Sequence, residues 1–131
     1  MSPETDLLLS VKRQLKQIGV PVYDFGEQVP NKFPQIVVNL MNEQEQNDLR
    51  QMDYMKVSLM VDVYTKRNLM GRAYDVAHNV RVAMQTVATT YWPIRYDTFS
   101  ERTMTDTTQG GDKLLRINYI FDYFIYGKKG V

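Results

Sequence analysis

From Met55 the chain reads MKVSLMVDVY. Its apolar residues Met55, Val57, Leu59, Val61 and Val63 alternate with Lys56, Ser58, Met60, Asp62 and Tyr64. Successive side chains of a strand point to opposite faces, whereas a helix repeats every 3.6 residues. This alternation therefore predicts a strand with one face buried. At about 3.3 Å per residue the strand spans about 33 Å, longer than the usual strand of ~5–6 residues. A chain with one such strand needs a sheet of similar length to pair with it and a layer to cover its apolar face.

The second strong constraint is LLRINYIFDYFIYG, residues 114–127. Read with period two, Leu115, Ile117, Tyr119, Phe121, Tyr123 and Ile125 share one face. Leu114, Arg116, Asn118, Ile120, Asp122, Phe124 and Tyr126 share the other. That other face begins polar and ends apolar. Ile120, Phe124 and Tyr126 call for a partner that helices on the opposite face do not supply. Either residues 26–34 or the segment around Trp92 packs on them, or another subunit does, since interfaces are enriched in aromatics.

Two helices supply the covering layer. Ser2 caps the first, Pro3 suits its first turn, and Glu4 and Asp6 complement its dipole. Leu7, Leu8, Val11, Leu15 and Ile18 form its apolar face, and Gly19 and Pro21 end it. The second is predicted to start at an Asn68 cap, with Leu69, Met70, Ala73, Val76, Ala77, Val80, Ala83, Met84 and Val87 on a wide apolar face. Residues 22–25 read as a short strand and residues 26–34 as a loop. Ile36, Val37, Val38, Leu40 and Met41 form a further strand beginning at Pro34. Residues 42–53, NEQEQNDLRQMD, are almost wholly polar without Gly or Pro, and form either a wide hairpin tip or strands running out into solvent. Ile94, Tyr96, Thr98 and Ser100 open a strand that the threonine-rich residues 101–108 can prolong. Gln109, Gly110, Gly111 and Asp112 form a turn back into the last strand. The expected fold is α+β in the order α-β-β-β-α-β-β: a mostly antiparallel sheet with two long hairpins and two helices on one face. It occupies one domain over residues 1–131.

Chemistry is sparse. There is no cysteine, which excludes disulfides, zinc thiolates and thiol nucleophiles. His78 is the one histidine, with no convergent ligands spaced for a metal. The acids Asp62, Asp75, Asp97, Glu101 and Asp122 are scattered, and Ser10, Ser58 and Ser100 lack a nucleophile-elbow context. No catalytic, cofactor-binding or metal-binding residue is predicted. The net charge of +1 argues against a dedicated nucleic-acid binder. No stretch is apolar enough to span a membrane, and the first ten residues carry acids where a secretion signal has basic residues, so an intracellular protein is expected. Lys66, Arg67 and Arg72, with Lys128 and Lys129, form either a cationic contact patch or an ordinary solvated charge set. Met41, Met52, Met55 and Met60 lie along the first hairpin, where methionine fills a core or supplies an adaptable surface.

Several stretches together carry a resemblance. They are VPNKFPQIVVNL leading into a strand, the long polar hairpin, VDVYTK closing the alternating strand, AYDVAHNVRVAM in the second helix, and the R-x-x-Y-x-F-x-Y pattern of the last strand. In this arrangement the chain resembles the tail terminator, or tail-completion and tail-to-head joining, proteins of long-tailed bacteriophages. The resemblance implies a non-enzymatic virion protein that caps the tail tube and joins the tail to the head connector. It implies a ring, hexameric, around a channel through which DNA passes, made in the host cytoplasm. The implied partners are further copies of the chain, the tail tube protein and the head connector protein, with no cofactor and no membrane. Candidate interface residues are Asn47, Asp48, Leu49, Arg50 and Met52 at the hairpin tip, Lys66, Arg67 and Arg72, and Ile120, Phe124 and Tyr126 on the last strand. Another small head–tail connector or neck component is the nearest alternative. A ligand-binding α+β domain is the alternative from a different class, and would be favoured by a buried polar cluster of His78, Asp62 and Tyr119.

Overall fold

The computed structural model describes residues 1–27, 30–47, 53–108 and 110–127, with residues 42–47 and 53 described in their backbone only. Helix α1 (Pro3–Lys16) opens with Ser2 as its cap, whose Oγ accepts the Thr5 amide at 3.1 Å. It ends three residues before Gly19, which takes φ +89° in the following turn, a conformation nearly free of steric cost only for glycine. Strand β1 (Val22–Asp24) is short. The Phe33–Pro34 peptide is cis, and β2 (Gln35–Asn47) starts directly after it. Strand β3 (Asp53–Lys66) returns antiparallel to β2, so the polar residues on either side of the tip continue the two strands as far as Asn47 and Asp53. One residue of β2, Met41, is bulged out of this pairing.

Helix α2 (Met70–Gln85) is entered through a 3-10 turn, Arg67–Leu69. Asn68 lies inside that turn, and no side chain caps α2, which corrects the expected start. Leu69 and Met70 are correspondingly exposed instead of joining the apolar face. Strands β4 (Ile94–Thr107) and β5 (Lys113–Tyr126) form the second long hairpin. The sheet order is β1-β2-β3-β5-β4, antiparallel throughout except for β1, which runs parallel to β2.

The register explains the core. Val38, Val61 and Tyr119 lie side by side across the sheet, as do Leu40, Leu59 and Phe121. These rows pack with Leu7, Val11 and Leu15 of α1 and with Ala73, Val76, Ala77, Val80, Ala83 and Met84 of α2. The alanines let α2 approach the sheet closely enough for the large β5 aromatics to be wholly buried. All six β5 residues expected on this face are buried. Thr65 continues the same face, and its buried hydroxyl finds no partner among the described residues. A buried hydroxyl without a hydrogen bond costs free energy that a methyl group of the same shape does not. Thr65→Val is therefore expected to raise unfolding stability by about 1 kcal/mol in urea titrations.

Candidate functional site

With both helices on one face, the other face of the sheet is covered only in part, and the predicted residues Ile120, Phe124 and Tyr126 lie there, each half-buried. Phe124 meets the edge of Tyr54 at 5.4 Å between ring centroids, and the Arg95 guanidinium sits 5.0 Å from its centroid. Tyr126 lies 6.1 Å from Tyr54 and helps line an apolar cleft with Pro3, Trp92 and Ile125. The segment around Trp92 thus borders the end of β5, where the Pro93 carbonyl accepts the Tyr126 amide at 2.9 Å. The loop at residues 25–35 serves the other end: Phe25, Phe33 and Pro30 enclose a cleft with Val37, Tyr64 and Leu114. Gln35 fastens that loop, its amide donating to the carbonyls of Pro30 at 3.0 Å and Lys32 at 2.9 Å.

Between these two covered ends the face carries polar pairs. Arg116 grips Asp62 through two bonds, Nε to Oδ1 at 2.9 Å and Nη2 to Oδ2 at 3.1 Å, and Asn118 donates to Asp62 Oδ1 at 2.7 Å. Asp106 stands 3.8 Å from the same guanidinium, and Tyr64 lies under it at 5.6 Å. The hydrogen bond to Asp62 holds Arg116 more firmly charged than usual, against the opposing effect of its burial. Ser58 donates to Asp122 at 2.6 Å one row beyond Met60 and Ile120.

On the helix face the titratable groups are tied up in packing. Arg81 of α2 reaches Glu101 at 3.2 Å and the Tyr119 hydroxyl at 3.0 Å, while Tyr119 itself donates to Glu101. Tyr123 donates to the Met84 carbonyl. Burial first, and for Tyr119 the neighbouring Glu101 carboxylate as well, pushes both phenols well above the ordinary tyrosine range. His78 is exposed and lies 3.5 Å from Arg81. Asp62 is on the opposite side of the sheet from Tyr119, because residues 62 and 61, the latter paired with Tyr119, point to opposite faces. The polar cluster of His78, Asp62 and Tyr119 that would favour a ligand site is therefore not assembled.

Of the cationic set, Lys66 and Arg67 are exposed and share an open depression with Asn68, Asp112 and Lys113, while Arg72 lies outside it. The structure adds Lys113, which sequence spacing could not join to Lys66 across more than forty residues. Asn47 ends β2 opposite Asp53. Asp48, Leu49, Arg50, Met52, Lys128 and Lys129 lie outside the described residues. Strand β4 was expected from the sequence, but its place in the sheet was not. It forms one edge of the sheet, and from Asp97 to Thr103 its side chains are exposed on both faces. No His, Asp or Glu grouping among the described residues is arranged to hold a metal ion.

No protein-family model matches the chain, and no protein of curated function does. Among solved structures it is similar to a chain of one described as "Virion of native gene transfer agent (GTA) particle", at 19% sequence identity and a TM-score of 0.64. The likeness covers 95% of this chain and 97% of the other, so the α+β fold is shared from end to end.

Proposed function

We propose that the protein is a structural component of a phage-like virion that caps the tail tube and joins it to the head connector as a ring. The observation that carries this reading is the end-to-end fold likeness to a chain from a virion particle. The architecture supports it. Two long hairpins and a sheet with one partly bare face offer surface for neighbours, and the charged and phenolic groups described above serve packing. The ring of six, the tail tube and head connector proteins as partners, and DNA passing through the channel follow from the sequence resemblance. So do the site of assembly in the host cytoplasm and the absence of catalysis. A head-to-tail ring needs two different surfaces that meet and close.

The test is mass in solution by light scattering, for the protein alone and mixed with phage tails lacking a terminator. The expected result is a monomer alone and a closed ring at one tail end after mixing, visible by electron microscopy. Failure to bind tails would overturn the reading. The loop cleft around Phe25, Phe33 and Tyr64 would then become the first place to screen small uncharged ligands, because no charged residue lines it among the described residues.

A further inference from the structure

Strand β4 is a long open edge. It runs fourteen residues, Ile94–Thr107, with β5 on one side and, among the described residues, no strand on the other. At the hairpin end the Thr108 amide donates to the Asp112 carbonyl at 2.9 Å, which makes these two a bonded pair. Counting back by twos, Asp106, Met104, Arg102, Ser100 and Thr98 bond to β5, while the backbone groups of Thr105, Thr103, Glu101 and Phe99 point outward. Before the register shift the Tyr126 amide donates to the Pro93 carbonyl at 2.9 Å, so Arg95 bonds to β5 and the backbone groups of Ile94 and Tyr96 point outward. Among the described residues nothing accepts from or donates to that outward row. Natural edges of this length are usually blunted by proline, by lysine or by a covering element. IRYDTFSERTMTDT contains neither residue; its charged side chains are Arg95, Asp97, Glu101, Arg102 and Asp106, and its one irregularity lies at Tyr96–Thr98, within its first half.

A second open edge lies across the sheet. Among the described residues, strand β1 pairs with only Ile36, Val37 and Val38 of β2, and β2 continues to Asn47 with no strand beside its outer half. That uncovered half sits at the height of the first half of β4: Asn42, Ser58, Asp122 and Thr98 form one row across the sheet, and Leu40, Leu59, Phe121 and Phe99 the next. The two edges also run in opposite directions, since β2 and β5 are both antiparallel to β3 and β4 is antiparallel to β5. A second copy placed beside the first in the same orientation brings its β2 edge antiparallel to the β4 edge.

We propose that the outer half of β2 in one copy pairs antiparallel with the first half of β4 in the next, joining copies head to tail into a continuous sheet. The occupant of each open edge is thus a second copy of this chain. The inference rests on the assembly reading above and names the contact it requires. Because the two edges are different and lie on opposite sides of the molecule, the contact is heterologous and repeats until it closes. Main-chain hydrogen bonds supply the attraction, which tolerates the polar composition of both strands.

The chain has no cysteine, so thiols can be introduced cleanly. Thr98→Cys and Met41→Cys are both exposed changes, and within one chain the two positions are three strand spacings, about 14 Å, apart. The double variant, concentrated or bound to tails, is treated with a thiol cross-linker shorter than that distance, and its fold is checked by thermal unfolding. The expected result is a ladder of covalent oligomers ending at the closed ring. The two single variants mixed should give dimers, and either single variant alone should give none. Dimers from Thr98→Cys alone would show β4 meeting β4 and overturn the proposal. A ring found by light scattering without β4–β2 cross-links would also overturn it while leaving the tail-capping reading intact. No assembly under either condition would remove both.

Discussion

Asp6→Ala is expected to lower unfolding stability by about 3 kcal/mol at neutral pH, measured by urea denaturation. Asp6 is buried in α1, at 2% exposure, yet belongs to no ion pair among the described residues. Its carboxylate accepts three successive amides from the segment after α2: Thr90 at 3.2 Å, Tyr91 at 2.8 Å and Trp92 at 2.8 Å. Each charge-assisted bond contributes about 1.5–3 kcal/mol, and water can replace part of the loss where the segment is exposed, so the sum is well below three full bonds. The same anchor sets where β4 begins, because Trp92 precedes it by two residues. Burial alone would raise the Asp6 pKa, but the three amides outweigh it and hold the carboxyl below its ordinary range. The sign follows. With the folded pKa depressed, the contribution of Asp6 is complete above the unfolded value of about 4 and is lost as pH falls through the folded value. The stability gap between wild type and Asp6→Ala should therefore be widest at pH 7 and close in acid. A gap that grew on acidification would contradict this assignment.

Asp62→Ala should cost about 3 kcal/mol, with the loss concentrated on the open face of the sheet. Asp62 is 4% exposed and holds both the Arg116 guanidinium and the buried Asn118 amide. Removing it leaves one charge and one buried donor without their main acceptor. Asp106, at 3.8 Å, and partial solvent access relieve the charge, and nothing comparable relieves Asn118. Breaking one partner of a buried pair costs more than the pair is worth, so Asp62→Leu combined with Arg116→Met and Asn118→Val should recover much of the stability. Equal stability for the single and triple variants would show that the network is not energetically coupled. The triple variant also makes the bare face more apolar, and increased self-association in light scattering is the expected side effect.

Much of this fold was legible because it depends on local periodicity. The alternation from Met55 to Val63 and from Leu115 to Ile125 assigned each residue to the correct face, since a strand's side chains must alternate whatever it pairs with. The Ser2 cap and the order of elements followed for the same reason. The start of α2 was misread at Asn68 because a capping residue and a 3-10 turn have the same composition, and only the chain's approach from β3 selects between them. Of the candidate interface residues, the β5 positions were legible as apolar residues on a polar face. Their partners Arg95, Tyr54 and Trp92 come from distant segments and were not.

By itself, then, the sequence determined which face of β3 and of β5 is buried, the order of the elements and that the last strand has apolar surface on both faces. Those are properties of a few consecutive residues and of solvent avoidance. Tertiary structure alone decided that β5 pairs between β3 and β4, that Asp6 ties down residues 90–92, and that β4 and the outer half of β2 are left as open edges on opposite sides. Strand order is decided by the free energy of the whole packed sheet, and no short stretch of chain encodes which of its strands will be left at the edge.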